Sequence, residues 1–193
     1  MKDVANFLYE VGILSKTPRS GFYFIGTGEQ SVAEHINRVV FIGYALASLD
    51  KEVDMLKVLK MCLLHDLSES RISDLNYVHQ KYVKREEEKA VEDLVKTLSF
   101  GADMKEIIKE YEERKTKEAI LAKDADNIEW IISLKEQADI GNTRAKDTML
   151  NAVKRLKTEG AQKLVQEILK TSSDEWWFGD KNDSWWVDRG KKE

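Results

Sequence analysis

Apolar residues recur every three to four positions along most of the chain, a spacing that predicts helices and not strands. Val4, Phe7, Leu8, Val11 and Leu14 keep this period and predict a first helix. Residues 15 to 30, SKTPRSGFYFIGTGEQ, hold the single proline and three of the ten glycines, and read as a structured loop. Ser31 followed by Glu34 has the capping-box pattern and opens a second helix that runs to about Leu49. Asp54 caps a third helix with Val58, Leu59, Cys62 and Leu63 on its inner face, ending at His65 and Asp66. A loop over about 70 to 79 leads into a charged helix from about Gln80 to Leu98. Asp103 with Glu106 caps a short helix, and Thr116 starts a longer one through EAILAKDADNIEWIISLKEQA. Two more are predicted near 143–158 and 161–171, with Gly160 as the break between them.

This pattern predicts one all-α domain over residues 1–172. The remaining segment, 173–193, contains DEWWFGDKNDSWWVDRG and is too short and polar to be a domain. Its two tryptophan pairs, Trp176 with Trp177 and Trp185 with Trp186, are expected to pack on the bundle or on a partner subunit.

Composition narrows the function. The chain has 193 residues, 42% hydrophobic and 34% charged, which suits a folded globular protein. Its net charge of -4 argues against a protein that coats a nucleic-acid polymer or an anionic membrane. Cys62, the only cysteine, lies in an apolar run, so disulfides and thiolate zinc sites are excluded and a reducing, cytoplasmic setting is expected. No apolar run approaches membrane-spanning length.

Within that frame a few polar residues stand out. His35 lies in the first turns of the second helix, and MCLLHDLSES places His65 and Asp66 where an apolar run stops. Asp124 and Asp126 fall inside an apolar helical stretch with Ile120, Leu121, Ile128, Ile131 and Ile132, so one of them should point inward. A buried, unpaired carboxylate is costly, and a metal cation relieves the cost. Imidazole and carboxylate together suit Mn, Fe, Co, Ni or Zn. A His-Asp pair alone is weak evidence, although Asp66 is poorly placed as a simple helix-end residue because negative charge is unfavourable there.

The order SVAEH, LLHDLSES, LAKDADNIE is more specific. It resembles the HD-domain phosphohydrolase superfamily, whose motif runs His, His-Asp, Asp on a helical bundle, and within it the 5′-deoxynucleotidase branch. The resemblance covers the chain from the PRSGF loop to about residue 150. It implies that His35, His65, Asp66 and Asp124 ligate one divalent transition metal, with Asp126 as a structural aspartate behind them. It further implies that Glu69 activates or positions the attacking water, that Asp74 contacts substrate or water, and that Arg19 grips the phosphate. Some bacterial members follow this arginine with a tryptophan that disfavours a 2′-hydroxyl. Ser20 stands here instead, which leaves Phe22 or Tyr23 to supply the apolar wall.

His79 reads as a surface-loop residue, and Lys81, Lys84 and Arg85 as a solvated helix face. The expected activity is hydrolysis of (deoxy)nucleoside 5′-monophosphates to nucleoside and phosphate by a homodimer. The rivals are phosphodiester or nucleoside-polyphosphate hydrolysis, and a non-catalytic helical module that keeps a metal or nucleotide.

Overall fold

The computed structural model describes residues 1–189. These form α1 (Lys2–Val11), α2 (Phe22–Ile25), α3 (Val32–Leu49), α4 (Met55–Leu64), α5 (Glu69–Ile72), α6 (His79–Tyr82) and α7 (Glu87–Val95). Then follow α8 (Gly101–Glu113), α9 (Lys117–Asp139), α10 (Thr143–Val153), α11 (Glu159–Lys170), α12 (Glu175–Phe178) and α13 (Trp185–Asp188). A 3-10 turn over Gly12–Lys16 continues α1. No strand occurs among the described residues, where the sole β-bridge joins Pro18 to Ser31. Among the described residues no helix is long and apolar enough to cross a membrane.

The central element is α9, because its apolar residues fall on every side. Ala119, Leu121, Ala122, Ala125, Ile128, Trp130, Ile131 and Leu134 are all buried, as expected of a helix surrounded by others. Helices α3, α4, α10 and α11 pack around it. Val39, Val58, Met61 and Ile128 fill the shared core and are fully buried. Each such aliphatic side chain contributes roughly 1.5–3 kcal/mol on burial. A second apolar cluster joins Leu14, Val32, Ile36 and Leu67 to Val91 and Leu94 of α7 and Met104 and Ile108 of α8. Because α9 is buried all round, the polar residues it carries enter the interior with it. Asp124, Asn127, Glu129 and Ser133 are buried on this one helix.

The predicted caps at Ser31, Asp54 and Thr116 form. Ser31 and Glu34 complete a capping box, Asp54 accepts the Lys57 N–H, and Thr116 accepts the Ala119 N–H. Several boundaries differ from expectation: α10 ends at Val153, and the expected loops contain α2 and α5. The charged helix over 80–98 divides into α6 and α7, with Val83 extended, because residues 84–89 (KREEEK) offer no apolar side chain to hold a helix against the core. Asp103 does not cap α8, which starts at Gly101, and its carboxylate pairs with Lys60 Nζ at 2.9 Å. Gly160 does not separate the last two helices; Thr158 caps α11 by accepting the Ala161 N–H, and the glycine lies in the first turn.

The expected loop before α3 is tightly pinned. The Arg19 N–H donates to the Gln30 carbonyl at 2.8 Å and the Val32 N–H to the Thr17 carbonyl at 2.9 Å. In the tail, Trp177 stacks on Phe178, Trp186 meets both rings edge-on and Trp185 at a tilt, and Trp176 remains 86% exposed. The Ser173 N–H donates to Asp139 at the end of α9. The final residues of the tail, 190–193, lie outside the described residues.

Candidate active site

Three helices bring two imidazoles and two carboxylates to one point. His35 stands in the first turns of α3, His65 and Asp66 follow the last residue of α4, and Asp126 comes from the middle of α9. His35 Nε2 lies 3.4 Å from His65 Nε2, 3.1 Å from Asp126 Oδ1 and 3.5 Å from Asp66 Oδ2. His65 Nε2 is 3.3 Å from Asp66 Oδ2 and 3.9 Å from Asp126 Oδ1.

The opposite ring nitrogens determine what those atoms offer. His65 Nδ1 is 2.9 Å from the Cys62 carbonyl, an acceptor only, so that nitrogen carries the proton. His35 Nδ1 is 2.6 Å from Glu129 Oε2 and donates likewise. Both neutral rings then present an Nε2 lone pair toward the same space as two carboxylates. Four electron-pair donors cannot satisfy one another, and a divalent cation at their centre fits the set. Without one, the cluster draws in a proton. Burial and the Arg19 charge act to lower the His35 pKa, but hydrogen bonds to Asp126 and Glu129 outweigh them and raise it to about 9. Burial alone would raise the pKa values of Asp66 and Asp126, yet neighbouring positive charge holds both below the usual carboxylate range. For Asp66 the charge comes from His65, Arg19 and His35, and for Asp126 foremost from Lys123, whose Nζ is 2.6 Å away.

Asp124 is not with them, contrary to the expectation that it is the α9 ligand. Its carboxylate turns to the opposite side of the helix and accepts the backbone N–H groups of Lys157 and Thr158, at 3.0 and 2.7 Å, and the Thr158 hydroxyl at 2.7 Å. Asp126, and not Asp124, is the α9 aspartate beside the histidines. A separation of two residues turns side chains about 200° apart on a helix, so only one can face the histidines.

Arg19 projects over the cluster from the loop before α2, its Nη1 3.3 Å from Asp66 Oδ2 and 3.6 Å from Asp74 Oδ2. Asp74 accepts the Ser20 N–H at 2.9 Å and so pins this loop. The residue before Asp74, Ser73, adopts φ 63° and ψ 166°, a strained conformation that favours glycine. Glu69, buried in the first turn of α5, has Arg85 Nη2 at 3.6 Å from its Oε1 and no protein partner for Oε2. Burial, then the charges of Asp66 and Asp74, push its pKa up to about 10 against the opposing pull of Arg19 and Arg85. Arg19 Nε is likewise buried without a partner. A free acceptor and a free donor flank the cluster.

Arg19, Ser20, Asp66, Glu69, Asp74 and Asp126 all line one cavity of about 280 Å³, near the lower end of the range for small-molecule sites. Its aromatic wall differs from expectation. Phe22 is buried edge-on against Trp130, and Tyr23 is 63% exposed, and neither lines the cavity. Trp130 does so, packed so closely over Gly21 that a Cβ there would lie 2.9 Å from its ring. Tyr77 adds a second ring.

Two further residues escape the sequence reading. Glu129 is fully buried behind His35, and its other oxygen accepts from Gln30 Nε2 at 2.6 Å and the Ser133 hydroxyl at 3.1 Å. Its signal was the same as that of the aspartates, a carboxylate inside an apolar helical run. Arg85 is drawn inward to Glu69, whereas Lys81 and Lys84 are exposed as expected. His79 is exposed and contacts Asn76, outside the cavity.

The HD domain family profile matches residues 11–169. The chain is 34% identical over 149 residues to the Dictyostelium discoideum protein named 5′-deoxynucleotidase HDDC2, spanning 70% of this chain and 78% of that one. It is 27% identical over 147 residues to the Bos taurus protein of the same name, spanning 73% and 71%. Among solved structures, a conserved hypothetical protein from Pyrococcus furiosus superposes with a TM-score of 0.76 at 31% identity, covering 86% of this chain and 99% of that one.

Proposed function

Because this chain belongs to the HD-domain family, in the branch whose curated relatives are named 5′-deoxynucleotidases, we propose that it hydrolyses deoxynucleoside 5′-monophosphates to nucleoside and phosphate in a metal-dependent reaction. The observation that carries this reading is a His35, His65 and Asp126 cluster able to hold a metal, with Asp66 beside it, at a cavity that also holds a free arginine donor and a buried carboxylate with one oxygen unpartnered.

A single divalent Mn, Co, Fe, Ni or Zn ion held by His35, His65, Asp66 and Asp126 would supply Lewis acidity toward the phosphate and acidify a water. Arg19 offers its guanidinium to the remaining phosphate oxygens, a planar fork suited to that geometry. With the ion's charge nearby to favour its carboxylate form, Glu69 would hold the attacking water through Oε2 and take its proton, while Arg85 steadies Oε1. Asp74 positions Arg19 and the Ser20 backbone, which supports a substrate-binding role for the loop. The sugar then lies against Trp130 and Tyr77. The fuller reading adds a homodimer, favoured by the exposed tryptophans of the tail, and a cytoplasmic location, in keeping with the one buried thiol, Cys62.

The test is phosphate release from dAMP, dGMP and TMP by protein stripped of metal and reloaded with Mn or Co. Turnover of these and not of triphosphates or cyclic dinucleotides is expected. Metal-loaded protein that released phosphate from no nucleoside monophosphate would sink the reading.

A further inference from the structure

The cavity at the cluster continues sideways. Arg114, Lys123, Asn127 and Arg155 line it and also line an adjoining cleft of about 840 Å³. The far side of that cleft is formed by Ile120, Asp124, Lys154 and Lys157. Five of its eight lining side chains are therefore cations, in a chain whose net charge is -4.

Three of these five charges are not neutralised internally; of the other two, Lys123 pairs with Asp126 at 2.6 Å and Arg114 with Glu112. Asp124 is the lining's only carboxylate, and it is spent on the backbone and hydroxyl of residues 157 and 158. Among the described residues, Lys154, Arg155 and Lys157 have no carboxylate within ion-pair distance. Arg155 rests over the Tyr77 ring at 5.7 Å, and Lys154 bonds only the neutral Asn151 amide. Arg114 Nη2 lies 3.9 Å from Glu112 Oε2. The residue ends α8 in the left-handed region at φ 51° and ψ 37°, where glycine is favoured and a long side chain is strained. Like charges gathered at an open cleft repel one another, and a bound polyanion relieves that repulsion.

We propose that this cleft is a second phosphate subsite, so that the preferred ligand is a nucleoside bisphosphate: its 5′-phosphate lies at the metal cluster and a phosphate on the 3′ side of the sugar enters the cationic cleft. This deepens the phosphomonoesterase reading and rests on it. The class of ligand follows from chemistry. The Arg155 guanidinium fork and the Lys154 and Lys157 ammonium groups, which have no ion-pair partner, match a compact dianion, and the cleft adjoins the cavity that would hold the sugar. Reactions that generate 3′-phosphorylated nucleotides would supply such a substrate.

The test measures binding, not turnover, in the full chain carrying Glu69→Gln and loaded with metal. Calorimetric titration with dAMP and with deoxyadenosine 3′,5′-bisphosphate should show the bisphosphate bound about tenfold more tightly, on the scale of one added charge-assisted contact. The preference should shrink as salt rises. Lys154→Ala with Lys157→Ala should abolish the preference and leave dAMP affinity unchanged, since Asp124 bonds the Lys157 backbone and not its side chain. Equal affinity for the two ligands, or a preference that survives the double variant, overturns the proposal while leaving the monoesterase reading intact if the wild-type chain hydrolyses dAMP. Failure to bind either ligand overturns both. A 5′-phosphorylated oligodeoxynucleotide that binds more tightly with each added nucleotide also overturns it, in favour of a polymer track.

Discussion

Asp124 and Asp126 stand two residues apart on α9, and their carboxylates serve opposite sides of it. Asp126 Oδ1 is 3.1 Å from His35 Nε2 at the cluster, whereas Asp124 ties down the turn that begins α11 through three donors. Substitution should therefore separate fold from chemistry. Asp124→Ala leaves two backbone N–H groups and a hydroxyl without their acceptor, which should cost on the order of 3 kcal/mol and lower the melting temperature by about 10 °C. Metal content per folded chain should be unchanged. Asp126→Asn should do the reverse, losing metal with a far smaller change in melting. Elemental analysis and thermal denaturation of the two variants check this directly, and the reverse pattern would return the ligand role to Asp124.

Much of this was legible in the chain. Periodicity and caps located α3, α4 and α9, because Ser31, Asp54 and Thr116 satisfy exposed N–H groups within their own turns, an interaction that depends on nothing distant. His35, His65, Asp66, Glu69 and Arg19 were recognisable from motif order. The rotation of α9 was not. Its apolar residues cover the whole circumference, so periodicity gives no inner face and cannot decide which aspartate meets the histidines. Residues 84–89 failed for the opposite reason. Their charges carry no period, and where Arg85 points depends on Glu69, sixteen residues earlier in the chain.

Glu129 should prove to be a positioning residue for His35. Its short contact fixes the ring with the proton on Nδ1 and leaves Nε2 free for metal. Glu129→Gln preserves volume but replaces an anion with an amide that no longer demands the proton. Metal affinity, measured by competition with a chromophoric chelator, should fall about 10- to 100-fold. Glu129→Asp, too short by one methylene for the 2.6 Å contact, should recover only part of it. Unchanged affinity in both variants would reduce Glu129 to a core contact.

Glu69 predicts a pH dependence in the metal-free protein. Its carboxyl has a folded-state pKa raised from 4.5 to about 10, so between those values the folded chain keeps a proton that the unfolded chain releases. Stability must fall as pH rises across that window, and the deficit is complete only above its upper end. Glu69→Gln removes the titration. Metal-free Glu69→Gln should thus melt several degrees above metal-free wild type at pH 8 and close to it at pH 5. Bound metal should shrink the difference, because a divalent charge nearby favours the carboxylate. A gap that is the same at both pH values would mean that Glu69 is not buried as an acid.

Gly43 and Cys62 set how closely α3 and α4 approach, and through them the position of His65. A Cβ on Gly43 would lie 2.5 Å from Cys62 Sγ, well inside contact distance. Gly43 is buried inside α3 and Cys62 in the last turn of α4, so neither helix can tilt away without disturbing Val39, Val58 and Met61. Gly43→Ala should therefore destabilise by about 1–3 kcal/mol, despite the better helix propensity of alanine. In a Cys62→Ala background the same substitution should cost much less, because the sulfur it would strike is gone. A double-mutant cycle by denaturant unfolding measures that coupling. The Cys62 carbonyl accepts the His65 Nδ1 proton, so a displaced α4 also turns the imidazole. Gly43→Ala should lose metal affinity as well as stability, and the double variant should regain both together; recovery of stability alone would show that His65 is held independently of the helix crossing.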